Sequence, residues 1–341
     1  MSREELAAAT NYAAATTPGR LPVGWARGGR GERYVSSAGF QAAVPEIDVA
    51  LVRGLLEAQF PRWAGLHVTP LADGGSDHVI FLLGDDMSVR LPRGDWAAGQ
   101  AEKEHAWLPR LAPQLPLAIP VPLGLGVPGL GYPYHWSVTR WLDGRVATAD
   151  GFADPERAAG QLGGFLKALQ RVPTVDDGHG LSRWSLIDRD DATRTAIKAR
   201  TGGVAADAMT RVWDAALAAP AWDAAPVWFH GDFHTGNLLT VGGHVSAVID
   251  FGGLGVGDPA CDLMVAWTTL SAETRPVFRA ALGVDDATWA RGRGWALATG
   301  LNAYTHYAPT NPRVAAQTRR QIDEAISDGR ADTDTETGAW R

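Results

Sequence analysis

Two short motifs in the second half of the chain contain the residue types that phosphoryl transfer uses. Residues 230–237 read HGDFHTGN and residues 249–252 read IDFG, with Asp250 13 positions after Asn237. Phosphoryl transfer requires one carboxylate to orient a hydroxyl and accept its proton. It also requires an amide and a second carboxylate to hold Mg²⁺ beside the phosphates. Asp232, Asn237 and Asp250 fit these three roles in that order, so the spacing predicts phosphoryl-transfer chemistry.

The sequence around these motifs resembles the aminoglycoside phosphotransferase family, a branch of the protein-kinase-like fold. HGDFHTGNLL is similar to the catalytic loop of that family, and AVIDFGGLGVGDPACDL is similar to its metal-binding segment and following helix. The resemblance covers residues 45–310. It implies that Asp232 is the catalytic base and that Asn237 and Asp250 are magnesium ligands. Asp262 is similar to a structural aspartate of the family.

The same resemblance implies ATP (or GTP) and Mg²⁺ as cofactors and a small-molecule alcohol as the acceptor of the γ-phosphate. The family phosphorylates aminoglycosides and macrolides, so an aminoglycoside-like or macrolide antibiotic is the expected acceptor. Relatives that act on choline, homoserine, fructosamines or sugars leave a metabolic small-molecule kinase open as an alternative. A non-catalytic nucleotide-binding module is a third possibility, motivated by Arg90.

A glycine-rich turn between two β-like runs is the candidate phosphate-covering loop. The runs are HVTPLA and HVIFLL, and Gly74, Gly75 and Ser76 lie between them. Glycines let the backbone approach phosphate oxygens, and a serine hydroxyl can donate a hydrogen bond to them. The turn therefore predicts a phosphate site at the tip of a hairpin.

The next β-like run, MSVRL, has Arg90 where protein kinases have a lysine. Arginine can bind phosphates and a carboxylate together through its planar fork, but it is bulkier than lysine and not equivalent to it. Glu102 and Glu104 of the following helix are the candidate partners. Ala101, Glu104 and Leu108 share the apolar, inward stripe of that helix. Because a buried charge needs a partner, we predict an Arg90–Glu104 ion pair that contributes to nucleotide binding.

The element pattern predicts an α+β, two-lobed protein-kinase-like fold, with an antiparallel-sheet N-terminal lobe and a mainly helical C-terminal lobe. Backbone groups around Arg140 and Leu142 are expected to contact the nucleotide base. Helices are predicted over 48–60, 97–111, 158–169, 206–218 and 258–270. The predicted divisions are an N-terminal extension (1–43), a nucleotide-binding N-lobe (44–140), a hinge (141–144), a catalytic and substrate-binding C-lobe (145–328) and a tail (329–341).

Composition and charge exclude several kinds of partner. The net charge of −7 and the pI near 5.7 argue against nucleic-acid binding and are compatible with a cationic substrate. No run of about 18 apolar residues is present, so no membrane span is expected. Glu4 and Glu5 stand where a signal peptide needs positive charge, which predicts a cytoplasmic protein. No pattern indicates the oligomeric state.

Three other classes of enzyme fit the motifs less well. His230 and His234 have the spacing of a zinc pair, but Gly231 occupies the place of the glutamate that such a motif needs. No G-x-S-x-G sequence is present, which argues against an α/β-hydrolase. Only eight positions separate Asp250 from Asp258 and no A-P-E sequence occurs, so a protein-kinase activation loop is not expected.

The acceptor site has only weak candidates. Acidic side chains in the C-terminal lobe are suited to ammonium groups, and tryptophans are suited to stacking on sugar or apolar faces. The acidic candidates are Asp176, Asp177, Asp188, Asp190, Asp191, Asp285 and Asp286, and the tryptophans are Trp184, Trp267, Trp289 and Trp295. Helix ends and turns explain these acidic residues, and core packing explains these tryptophans, better than an acceptor site does.

Overall fold

The computed structural model describes residues 45–71, 77–174, 181, 184–200 and 204–338. Its elements form a sheet-rich N-terminal lobe and a mainly helical C-terminal lobe, joined by the stretch at residues 141–144. This is the mixed, two-lobed architecture that the sequence predicted. The N-terminal extension predicted for residues 1–43 lies outside the described residues.

A five-stranded antiparallel sheet forms the N-terminal lobe, with the strand order β1-β2-β3-β5-β4. The strands are β1 (Val68–Pro70), β2 (His78–Leu83), β3 (Met87–Pro92), β4 (Pro122–Gly126) and β5 (Trp136–Arg140). Strand β3 pairs with β2 and with β5, which places Arg90 at the centre of the sheet. Helix α1 (Val49–Gln59) packs Leu55 into one hydrophobic core with Val89 and Val138 of the sheet.

Strand β4 runs through a proline- and glycine-rich stretch for which the sequence predicted no element. A Cβ added at Gly126 would lie 2.0 Å from the indole of Trp136, and one at Gly124 would lie 2.8 Å from the ring of Phe60. These glycines therefore make room for aromatic rings. Because glycine has a low strand propensity, the sequence pattern did not indicate this strand.

Helix α2 (Gln100–Leu111) connects the two lobes. The sequence predicted a helix from Ala97, but a separate 3-10 turn ends there, and Gly99, with a φ of 83°, separates it from α2. The C-terminal half of α2 belongs to the core of the C-terminal lobe. There Trp107 packs against Trp228, with the ring centroids 4.7 Å apart.

The C-terminal lobe contains seven further α-helices and two small sheets within the described residues. The helices are α3 (Pro155–Arg171), α4 (Asp190–Ala199), α5 (Val204–Ala218), α6 (Val265–Thr268), α7 (Arg275–Leu282), α8 (Asp286–Tyr307) and α9 (Pro312–Gly338). One sheet has the order β6 (Arg145–Val146), β8 (Leu238–Val241) and β9 (His244–Val248), and the other pairs β10 (Gly255–Gly257) with β7 (Val227–Phe229). In the described part of the chain, no helix is both long enough and apolar enough to cross a membrane.

The structure differs from the sequence-based expectation at two helices of this lobe. The single helix predicted over 258–270 is a 3-10 helix (Pro259–Met264) followed by the short helix α6. Residues 329–338, predicted as a polar tail, continue helix α9. That helix is anchored by buried residues such as Ile322 and Ala325, and each further residue adds one backbone hydrogen bond at little cost.

Candidate active site

One buried carboxylate holds the backbone of the loop that follows β7. Asp262 Oδ2 accepts the N–H of His230 and its Oδ1 accepts the N–H of Gly231, both at 2.7 Å. Gly231 has a φ of 87°, and a Cβ there would lie 2.3 Å from the carbonyl oxygen of Gly253. Burial raises the pKa of Asp262 to about 7, while the two N–H donors lower it. The turn therefore requires glycine at position 231 and an acceptor at position 262.

Asp232 and Asn237 form a buried pair in this loop. Asn237 Nδ2 donates to Asp232 Oδ2 at 3.0 Å and to the Asp232 carbonyl at 2.9 Å. The Nε2 atom of His234 lies 3.5 Å from the same Oδ2. The Asp232 side chain is 2% exposed. Its carboxylate is therefore held in one orientation by contacts within its own loop.

The two histidines of the motif orient the loop backbone. His230 Nδ1 accepts the Asp232 N–H at 3.1 Å, and its Nε2 lies 3.1 Å from the Ile249 carbonyl oxygen. These contacts require a neutral ring with its proton on Nε2. Burial lowers the pKa of His230 to about 4, although Asp232 and the Ile249 carbonyl raise it. His234 Nδ1 accepts the Gly236 N–H at 3.0 Å, so both rings have loop partners rather than the free, paired nitrogens of a zinc site.

Asp250 lies at the end of β9 in a left-handed backbone conformation, with φ 65° and ψ 73°. Non-glycine residues adopt this conformation rarely, and it aims the side chain differently from an extended residue. The preceding Ile249 N–H donates to the Asn237 carbonyl at 2.9 Å, which joins the two motifs. Burial raises the pKa of Asp250 to about 7, with Arg90 lowering it and Asp232 raising it.

The oxygen atoms at this junction fit a magnesium ion. Asn237 Oδ1 is buried and takes no hydrogen bond from the described residues, and Asp250 follows Ile249, whose N–H donates to the Asn237 carbonyl. Mg²⁺ prefers oxygen ligands and is commonly bound by one or two protein side chains together with phosphate oxygens and water. The described residues contain no cluster of three His, Cys, Asp or Glu side chains able to hold a metal.

Arg90 and Glu104 form the ion pair that the helix spacing predicted. The Arg90 Nη1 atom lies 2.7 Å from Glu104 Oε2, and its Nη2 atom lies 3.8 Å from Asp250 Oδ1. Burial lowers the pKa of Arg90, but Glu104 and Asp250 more than offset this, so the pKa is raised overall and the guanidinium stays charged. Glu102 points elsewhere and lies 2.6 Å from Nδ1 of His135.

A cleft between the lobes has apolar walls and a charged end. The walls are formed by Leu71, Ile80, Pro120, Val146, Leu239 and Ile249, and the charged end includes Arg90 and Asp250. At the hinge, the Trp141 N–H donates to the Asp86 carbonyl at 2.7 Å, whereas the Leu142 N–H has no partner among the described residues. Arg140 and Leu142 both line the cleft, but the Arg140 side chain is exposed and lies 3.5 Å from Asp86, and the Arg140 N–H donates to the Val121 carbonyl at 3.2 Å.

The predicted phosphate-covering residues Gly74, Gly75 and Ser76 lie outside the described residues. The chain resumes at Asp77, whose Oδ2 accepts a hydrogen bond from Gln100 Nε2 at 3.0 Å. His78 is buried beside Arg90, and burial together with the positive charges of Arg90 and Arg93 lowers its pKa well below the usual value. A neutral His78 therefore lines the charged end of the cleft.

Lys103 is a site residue that the sequence reasoning missed. Its Nζ donates to the Gly252 carbonyl at 2.6 Å and to the Leu254 carbonyl at 3.2 Å. Burial lowers its pKa to about 8, while Glu104 and Asp250 raise it. Lys103 thus ties helix α2 to the turn after Asp250. The signal available in the sequence was that only three lysines occur in 341 residues and that one of them adjoins Glu104.

Most of the described acidic candidates for an acceptor site are engaged elsewhere. Asp190 accepts from Trp213 and pairs with Arg194, Asp285 caps helix α8, and Asp286 pairs with Arg279. Asp188 and Asp191 are exposed, and Asp176 and Asp177 lie outside the described residues. Trp267, Trp289 and Trp295 are buried, and Trp184 packs on Phe229. Core packing therefore accounts for these tryptophans.

The fold and the site together define a two-lobed phosphotransferase of the protein-kinase-like class. A sheet lobe and a helical lobe meet at a cleft, which Ile249 and Asp250 of the second motif line, and hydrogen bonds of Ile249 join this motif to the first. The model of the phosphotransferase enzyme family matches residues 67–295, and the chain belongs to this family. It is accordingly a phosphotransferase.

Solved structures with the same fold share little sequence with this chain. A GDP and kanamycin complex of the aminoglycoside phosphotransferase APH(2″)-IIIa is 19% identical with a TM-score of 0.66, covering 82% of this chain and 99% of that chain. The macrolide 2′-phosphotransferase MphH from Brachybacterium faecium is 21% identical with a TM-score of 0.56, covering 82% and 97%. ADP-bound APH(2″)-Ib is 17% identical with a TM-score of 0.52, covering 82% and 100%. No curated protein sequence matches this chain.

Proposed function

We propose that this protein is an ATP- or GTP-dependent O-phosphotransferase that uses Mg²⁺ to transfer the γ-phosphate to a hydroxyl of a small molecule. The observation that carries the proposal is the convergence of Asp232, Asn237 and Asp250. The first two are hydrogen-bonded, and the backbone bond from Ile249 to Asn237 sets the third beside them. The nucleotides bound to the structural relatives, GDP and ADP, agree with a nucleotide in the adjoining cleft.

Each group has a defined part in the proposed reaction. The apolar walls hold the base, and Arg90, fixed by Glu104, binds phosphate oxygens. Asn237 and Asp250 would hold Mg²⁺, and the ion would neutralise phosphate charge there. Asp232 orients the acceptor hydroxyl and takes its proton as the hydroxyl oxygen bonds to the γ-phosphorus. The bond from that phosphorus to the β–γ bridging oxygen breaks, which releases a nucleoside diphosphate and a phosphate ester.

An antibiotic is the acceptor that similarity suggests. The structural relatives include a kanamycin complex and a macrolide phosphotransferase, but their identities to this chain are 19% and 21%. At that distance the likeness supports the fold more than the substrate. A metabolic alcohol of the choline, homoserine, fructosamine or sugar type remains the alternative.

The test is an acceptor screen with a catalytic control. The full chain is incubated with Mg²⁺ and either ATP or GTP against aminoglycosides, macrolides, amino alcohols, sugars and sugar acids, and products are identified by mass spectrometry. For Asp232→Asn we expect a loss of turnover of about 10²- to 10⁴-fold, because the proton acceptor is removed, with nucleotide affinity retained. Calorimetric titration with a nucleotide analogue measures that affinity.

Two results would contradict the proposal. If Asp232→Asn retained full turnover, the assigned base would be wrong. If nucleotide bound tightly while no acceptor of the panel was phosphorylated, the non-catalytic binding module would be favoured, and Arg90→Lys would be examined for restored activity.

A further inference from the structure

A second cavity adjoins the catalytic loop. Thr235 and Gly236 of that loop line it, together with Thr148 and Asp150 after the hinge and with one face of helix α9. Val146 belongs to the walls of both this cavity and the nucleotide cleft. The cavity, called the acceptor pocket below, therefore begins three residues from Asp232 and shares a wall with the nucleotide site.

Hydrogen bonds place a guanidinium at the catalytic loop. The Thr268 carbonyl accepts from Thr235 Oγ1 at 2.9 Å and from Arg320 Nη1 at 3.0 Å. Arg320 therefore reaches the same backbone atom as a residue of the catalytic motif. Its Nη2 atom lies 4.0 Å from Glu324, a distance at the limit of an ion pair.

Helix α9 presents a second guanidinium to the pocket. Arg313, Gln317 and Arg320 line the pocket at helical spacings of four and three residues, so they share one face. Arg313 is exposed and makes no ion pair with any described residue. It lies in the first turn of a 27-residue helix, where the backbone N–H groups also favour negative charge. Asp150 is the acidic residue of the described pocket lining.

We propose that the acceptor carries an oxyanion, a carboxylate or a phosphate ester, which Arg313 and Arg320 bind while its hydroxyl faces Asp232. Arginine binds such planar or tetrahedral oxyanions with paired hydrogen bonds. The inference rests on the proposed function and specifies its substrate class. It predicts that the pocket prefers anionic acceptors, whereas a pocket for polycationic antibiotics would prefer cationic ones. The anionic group is unchanged in the reaction, which forms the new O–P bond at the hydroxyl.

Binding without turnover tests the pocket directly. Inorganic phosphate and D-glucuronate are titrated by calorimetry into the full-length Asp232→Asn protein saturated with Mg²⁺ and a non-hydrolysable ATP analogue, so that the γ-phosphate position of the nucleotide site is also filled. Arg313→Gln and Arg320→Gln are each expected to weaken binding of both probes by about tenfold. Arg319→Gln is the matched control, because Arg319 loses the same charge from the same helix but contacts Tyr304 outside this pocket.

Asp150 supplies a test of opposite sign. Asp150→Asn removes the acidic residue that lines the pocket, and we expect it to strengthen glucuronate binding. A pocket for a cation would show the reverse, with glucosamine binding weakened. If neither anionic probe bound, or if Arg313→Gln and Arg320→Gln matched Arg319→Gln, the inference would be overturned.

Turnover then separates this inference from the proposed function. Glucuronate, glucose 6-phosphate, glucose and glucosamine are compared as acceptors at equal concentration. A kcat/KM that is higher for glucuronate or glucose 6-phosphate than for glucose and glucosamine supports the inference and identifies the oxyanion. A higher value for glucose or glucosamine would refute the inference while leaving the phosphotransferase assignment intact. Failure of nucleotide binding itself would instead refute the proposed function.

Discussion

Lys103 is buried and holds the turn after Asp250 through two hydrogen bonds. Its removal is therefore expected to weaken the binding of Mg²⁺. Lys103→Met keeps most of the side-chain volume but leaves the Gly252 and Leu254 carbonyls without their donor. We expect the Mg²⁺ concentration for half-maximal activity to rise about tenfold, together with a loss of unfolding free energy of about 1–3 kcal/mol. Magnesium titration of activity and thermal unfolding measure the two effects.

The matched control for this residue is Lys167→Met. Lys167 Nζ donates to the Ala281 carbonyl at 3.2 Å, far along the chain from both motifs. Its loss should change stability without changing the magnesium dependence. If Lys103→Met and Lys167→Met required the same Mg²⁺ concentration for half-maximal activity, Lys103 would be a structural residue and not a positioning residue for the site.

His230 gives the catalytic loop a pH dependence of known sign. Its folded pKa of about 4 lies below the ordinary value of 6.5, so between these values the unfolded chain binds a proton that the folded chain does not. Stability from the neutral ring is therefore lost as the pH falls from 6.5 to 4, by about 3 kcal/mol at most. His230→Gln lacks this titration and should be less stable at pH 7, with the difference from the wild type shrinking towards pH 4. Denaturant unfolding without Mg²⁺ or nucleotide measures this difference, and parallel stability curves would contradict it.

At the scale of elements, the catalytic loop depends on a carboxylate from a different segment. Asp262→Asn offers one oxygen to two N–H groups and places an amide N–H against one of them. We expect unfolding free energy to fall by about 1–3 kcal/mol and kcat to fall at least tenfold, with little change in the KM for nucleotide. Asp154→Asn is the control, since Asp154 caps helix α3 at the surface and asparagine caps nearly as well. Equal losses in the two variants would argue against a role for Asp262 in the loop.

The elements also show where sequence reasoning succeeds. The Arg90–Glu104 ion pair was predictable because residue type and the apolar stripe of α2 constrain it locally, whereas the roles of Asp232, Asn237 and Asp250 stay predictions. Strand β4 was not, since its glycines serve aromatic packing against Trp136 and weaken the strand pattern. Lys103 was missed because its partners are backbone carbonyls about 150 positions away, which no local pattern indicates.

For the whole molecule, net charge is a poor guide to the partner. The chain carries a net charge of −7, which is compatible with a cationic substrate. The charged groups that line the acceptor pocket are nevertheless Arg313, Arg320 and Asp150. Because screening in physiological salt limits surface charges to a range of about 8 Å, these local groups act on a bound molecule more strongly than distant carboxylates do.

The two lobes have separate hydrophobic cores, and we therefore expect them to unfold in separate transitions. Leu55 lies in the core of the sheet lobe, whereas Leu166 lies in the larger core of the helical lobe. Leu108 belongs to α2, which precedes β4 and β5 in the chain, yet its side chain is buried in the helical-lobe core. Without nucleotide we expect two transitions in guanidinium chloride, because the two core clusters of the described chain have no buried residue in common.

Each leucine-to-alanine substitution should then lower the midpoint of only one of these transitions. The unfolding free energy of that lobe should fall by about 2–5 kcal/mol. Leu55→Ala should lower the midpoint of the sheet lobe, and both Leu166→Ala and Leu108→Ala should lower that of the helical lobe. Circular dichroism and tryptophan fluorescence followed together would resolve the two steps. A single transition shifted alike by all three substitutions would show that the lobes unfold as one unit. In that case α2 couples them through Leu108 and the Trp107–Trp228 contact more strongly than the separation of the cores implies.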